Sequence, residues 1–222
     1  MFGTLWWGGL IFSVLFIALT ILLARRLGEQ NQKLLGKGIG FILIFFALGI
    51  HIYEWIEHRW QLQHSLPLQL CALSGILSGL VFFWSKQGAY ELLVFWGIPG
   101  AAHSLLTPEM SHGNSLFLIT DYYVSHAGII LAALYLPIIY KRQIRVQSWL
   151  WSFIFTLGLI AMVALINYLL HANYMYLCRK PVAENPFVIG EWPWYIGGLM
   201  VAGLIHFVAV YWLFKKLKWV SN

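Results

Sequence analysis

The chain has 222 residues, of which 60% are hydrophobic, 17% aromatic and only 10% charged, with a formal net charge of +6. This composition excludes a soluble domain and predicts an all-α, polytopic membrane protein. The positive charge is assigned to topology and anionic-lipid contact rather than nucleic acid, because no basic cluster interleaved with aromatics forms a soluble module.

Crossing about 30 Å of hydrocarbon takes about 20 helical residues. Apolar runs of that length occur at 5–24, 38–57, 66–84, 89–107, 120–140, 148–170 and 194–214. They are continuously apolar rather than alternating, which favours helices over a barrel, so residues 1–222 are read as one domain of seven transmembrane helices. The first run lacks a basic leader and a small-residue cleavage motif and is read as a retained helix. Arg25, Arg26, Lys33, Lys37, Lys86, Lys141, Arg142, Arg145, Lys215, Lys216 and Lys218 fall on one side, eleven of the 14 Lys and Arg. The positive-inside rule then puts the N-terminus outside and the C-terminus in the cytoplasm of a multi-pass cell-membrane protein.

The acids and imidazoles segregate the other way. Glu54, Glu57, His58, His64, Glu109, His112, Asp121, His171, Glu184 and Glu191 fall at outer loops or outer helix ends, leaving Glu29 and Glu91 on the cytoplasmic side. Counting inward from the outer ends gives His51, Cys71, His103 and His126 a similar depth on helices two to five. Ionisable groups inside membrane helices are costly and face a bundle interior or a wet cavity, so this layer is a candidate site. For each histidine alone, a headgroup-level or interhelical hydrogen bond is the competing structural reading.

Within "SLPLQLCALSG", Ser65 is expected to cap a helix with Pro67 in its first turn, leaving Cys71 about one turn further in. Cys71 is either a nucleophile or part of a packing seam with Gly75 and Gly79. "GIPGAAHSLLTPE" predicts a helix kinked at Pro99 that carries His103 and Thr107, with Glu109 an acid of the next cap. "TDYYVSHAG" is expected to start helix five at Thr120 or Asp121 and to bring in Tyr122 and His126, the imidazole able to deprotonate a thiol. Asn167 and His171, four apart, orient His126 or pair with each other. His206 is read as packing. Gln69, Ser74, Thr107, Tyr122 and His171 complete the expected pocket. The Pro- and aromatic-rich connection 172–193 has the character of a lid, and its Cys178 would need to approach within about 7 Å of Cys71 for a disulfide. Zinc on His51, His103 and His126 is conceivable, but spacing across separate helices is not diagnostic, so no metal or cofactor is assigned.

Together, "LPLQLCALSG", "GIPGAAHSLLTPE", "YYVSHAG", "NYMYL" with "KP", and "GEWPWY" resemble the YwaF family of bacterial integral membrane proteins over nearly the whole chain. That family is similar to eukaryotic transmembrane phospholipid acyltransferases, and more distantly to the AIG/ADTRP hydrolases of fatty-acid esters, which use a Thr and a His. Carried over by motif, the resemblance implies Cys71 as nucleophile and His126 as base. The expected function is acyl transfer between membrane phospholipids or other acyl lipids through a thioester on Cys71. His51, His103 and Asn167 are its expected orienting or oxyanion-stabilising groups. The alternatives are an intramembrane esterase with the same dyad, and a non-enzymatic lipid or small-solute binder or transporter with a histidine-lined cavity. No inverted repeat favours transport.

Overall fold

In the computed structural model the residues described are 3–108, 113, 115–181 and 188–221. Glu109, His112 and Glu184 therefore lie outside the described residues. The elements are α1 (Thr4–Arg26), α2 (Glu29–Ile56), α3 (Leu70–Leu80), α4 (Gln87–Leu92), a π-helical turn (Leu93–Gly97), α5 (Ile98–Leu106), α6 (Leu116–Ile138), α7 (Ser148–Leu170), a 3-10 turn (Tyr174–Tyr176) and α8 (Trp194–Lys216). Five of them, α1, α2, α6, α7 and α8, are long and apolar enough to cross a membrane. Their outer faces carry Leu19, Phe41, Leu165 and Val201, each at least 58% exposed, as lipid-facing helices require.

The other two expected crossings take a different form. The third spans only Leu70–Leu80. Pro67 has no amide proton to give a helix, and the chain before Leu70 turns instead, with Ser65 N donating to Gln61 O at 2.8 Å. Ser65 Oγ accepts from Gln61 N at 3.1 Å and so caps nothing in α3, whose flanking residue is Gln69. The fourth runs on as α4, π turn and α5, residues 87–106. Pro99 cannot donate to the Phe95 carbonyl and its ring crowds that oxygen, and the widened turn at 93–97 relieves this conflict.

Helix α6 is the hub, packing against α1, α2, α3 and α5. Its apolar stretch is the most buried among the five long helices. It starts at Leu116 rather than at 120, because Ser115 supplies the cap by accepting from Leu118 N at 3.4 Å and from the Tyr53 hydroxyl at 3.1 Å. Small residues set the closest approaches. A Cβ on Gly79 would lie 2.9 Å from Gly40 O, and one on Gly40 2.8 Å from Gly79 O, so the backbones of α2 and α3 touch there.

At the end carrying Lys and Arg, a polar knot ties the loops together. Glu91, 2% exposed, accepts from Arg145 N at 2.9 Å, Arg145 Nε at 3.0 Å, Arg145 Nη2 at 2.6 Å and Gln87 Nε2 at 2.9 Å. Hydrogen bonding to that carboxylate holds the Arg145 guanidinium above the ordinary arginine range. Arg142 donates to Gln87 Oε1 and to Ser85 O, with its guanidinium 5.2 Å from the centre of the Tyr90 ring. The C-terminal tail joins this end through a bridge between Ile144 and Val220.

Candidate functional site

At the opposite end a cavity of about 600 Å³ opens between α2, α3, α5 and α6. Its lining includes Cys71, His51, His103 and His126, together with Gln69, Thr107 and Tyr122. Ser74, Asn167 and His171 are not part of the lining. Ser74 is turned into the protein and is 1% exposed.

Cys71 lies in the first turn of α3. Because residues four apart share a helix face, Cys71 and Gly75 both look into the cavity, where a Cβ on Gly75 would meet nothing within 4 Å. One turn further, Gly79 makes the backbone contact with α2. The packing seam thus begins below the cysteine and does not contain it. The thiol faces α5, with Sγ 3.5 Å from where a Cβ on Gly100 would sit and 3.8 Å from Ser104 Oγ. Gly100 leaves room for the sulfur, and Ser104, one turn on, supplies its hydroxyl neighbour.

His126 Nδ1 is 2.7 Å from the Tyr122 carbonyl. A carbonyl only accepts, so Nδ1 carries the proton and neutral Nε2 is left as the acceptor. The Tyr122 ring lies 4.4 Å from the imidazole, centre to centre, and its hydroxyl donates to Ser104 O at 2.6 Å. Ser104 and Tyr122 thus pack between Cys71 and His126 on α5 and α6, the bonds to Ser104 O and Tyr122 O being to backbone carbonyls. Sequence reasoning misses Ser104 because it carries no charge and follows the more conspicuous His103. Its spacing of four from Gly100 is the signal that could have found it.

His103 Nε2 meets His206 Nε2 at 2.9 Å. His206 Nδ1 donates to Ala202 O at 2.7 Å, so His206 Nε2 accepts and His103 Nε2 donates. His206, read from sequence as packing, is a polar tie between α8 and α5. Thr107 Oγ1 donates to His103 O at 2.9 Å.

Asn167 acts at one remove from the cavity. Its side chain does not pair with that of His171, whose backbone N–H donates to Asn167 O and ends α7 in a left-handed conformation with φ 53°. Its side chain instead clasps Tyr174, Oδ1 accepting from Tyr174 N at 2.8 Å and Nδ2 donating to Tyr174 O at 2.9 Å. The Tyr174 hydroxyl donates to Leu62 O at 2.7 Å and accepts from Leu66 N at 2.9 Å. Gln69 Oε1 accepts from Met175 N at 2.9 Å. These bonds hold Met175 and Tyr176, both cavity-lining, at φ of 55° and 54°. Left-handed backbone costs a non-glycine residue about 1–2 kcal/mol, so the roof of the cavity is strained and fastened.

Cys71 and Cys178 are both free thiols. Among the described residues no three His, Cys, Asp or Glu side chains converge as a metal site. A family model, that of the TMEM164 family, a transmembrane family, matches residues 1–211. No curated protein and no solved structure matches the chain.

Proposed function

The chain belongs to the TMEM164 family, and we propose that this multi-pass membrane protein is a lipid acyltransferase that works through a thioester on Cys71. The observation that carries the reading is that Cys71 and His126 line the wall of one cavity, with Nε2 of His126 left as the proton acceptor. The sequence resemblance to the YwaF proteins and to eukaryotic phospholipid acyltransferases supports it. Helix α3 and the 87–106 run supply the sixth and seventh crossings, and the cavity opens toward the outer leaflet.

In the first half-reaction His126 Nε2 takes the thiol proton and the thiolate attacks an ester carbonyl of a phospholipid. The carbon–oxygen ester bond then breaks, and the leaving lysolipid alkoxide takes the proton back from the imidazolium. In the second half a hydroxyl of another lysolipid gives its proton to Nε2 and attacks the thioester. The new ester forms and the proton returns to sulfur. His51 lines the cavity as the candidate donor to the developing oxyanion, while His103, whose Nε2 proton goes to His206, shapes the wall. Asn167 positions the roof and does not touch the reacting atoms. An esterase results from the same steps when water enters the second half.

The test is intact mass of the purified protein after incubation with phospholipid vesicles. One acyl chain should add to the wild type, disappear on Cys71→Ala, and be discharged by added lysolipid. Turnover by Cys71→Ala at the wild-type rate would overturn the proposal.

A further inference from the structure

A second recess, of about 240 Å³, lies at the basic end, far along α6 from the cavity. Its rim combines Arg25 from the last turn of α1, Lys141 after α6, and Lys218 with Trp219 after α8. Three cations from three separate segments thus surround one concavity.

Among the described residues no acidic side chain is left to answer them. Glu29 and Glu91 are the acids at this end, and both are committed, to Lys33 at 2.6 Å and to Arg145 at 2.6 Å. Lys141 Nζ donates to a backbone carbonyl, Ile138 O at 2.8 Å. The walls are also fixed before any ligand arrives. Ile144 N donates to Trp219 O at 2.9 Å, Ser221 N to Ile144 O at 2.8 Å, and Gln143 Nε2 to Lys218 O at 3.1 Å. A wall that is already formed loses less on binding than a mobile one.

Location selects the ligand. The recess sits where the spanning helices α1, α6 and α8 end, and Leu22 and Leu213, at least 50% exposed, continue below it on the lipid-facing side. A Trp at the rim is the usual marker of headgroup depth. The volume suits a phosphodiester with its glycerol and excludes acyl chains, which would run over the leucines. We propose that this recess binds the phosphate headgroup of an anionic phospholipid from the leaflet at the basic end, independently of the chemistry at Cys71.

The test uses the full chain in detergent, with native mass spectrometry during titration of phosphatidylglycerol or phosphatidylcholine. The wild type should retain phosphatidylglycerol in preference, and salt raised to about 0.5 M should release it. Changing Arg25, Lys141 and Lys218 together to Gln should weaken retention about a hundredfold, at roughly fivefold per cation, with phosphatidylcholine unaffected. If the triple variant fails to fold, Lys218→Gln alone, on the exposed tail, should cost about fivefold. Equal retention of the two lipids by the wild type, or of phosphatidylglycerol by wild type and variant, would overturn the proposal. Displacement of the lipid by glycerol phosphate at matched concentration would overturn the lipid source and leave a soluble phosphate ester.

Discussion

The buried carboxylate of Glu91 and the thiol of Cys71 sit at opposite ends of the bundle and are treated in opposite ways. Glu91 has both oxygens taken, by Arg145 and Gln87, and nothing is left to offer a ligand. Cys71 meets one hydroxyl at 3.8 Å, packs against Gly100 and borders the cavity beside Gly75. A buried polar group satisfied on every side is structural. One left with spare capacity on a cavity wall is a candidate for chemistry.

On the proposed function, breaking the cavity end should abolish acyl transfer and spare the fold. Cys71→Ala is expected to lower lipid turnover at least about a thousandfold and His126→Ala about 10²–10⁴-fold, with thermal unfolding unchanged. Parallel turnover and melting measurements check this. Breaking the satisfied end should do the reverse. Glu91→Ala strands Gln87, the Arg145 amide and a guanidinium, and because Arg145 can still reach water the cost is about 2–3 kcal/mol. The surviving folded fraction should retain wild-type specific activity.

The same division runs within α3. Gly79→Ala drives a methyl into the backbone of α2 and should cost about 1–3 kcal/mol, whereas Gly75→Ala meets nothing and should leave stability within about 0.5 kcal/mol. Chemical denaturation of the two variants in one detergent decides it. The smallest expected effect is at Ser104→Ala, which removes one weak contact to sulfur. Turnover should fall about threefold to tenfold at unchanged stability, on the scale of one hydrogen bond.

Much of the frame is legible from hydropathy alone. Helix α7 occupies 148–170, the apolar run itself, and α1 and α8 end within two residues of theirs. Helix α2 starts at Glu29, nine residues before its apolar run, because the polar stretch EQNQK is also a good helix former and hydropathy cannot see it. The third and fourth runs differ in form for the converse reason: apolarity marks a segment as buried but does not say how Pro67 and Pro99 reshape it. For the site, depth can be counted along each helix while rotation cannot. Hence depth alone groups His51, Cys71, His103 and His126, whereas Ser74 turns inward and Asn167 holds a loop.

The π turn at 93–97 also decides where this chain can change length. A π turn accommodates one residue more than an α-helix would, without altering the phase of the helix beyond it. Deleting one residue there, together with Pro99→Ala to remove the ring that requires the wide turn, leaves Gly100 and Ser104 pointing at the same neighbours. Deleting one residue between Gly100 and Ser104 swings the serine about 100° around the axis, away from the sulfur. Two sites a few residues apart on one helix thus differ completely in their tolerance of an insertion or deletion.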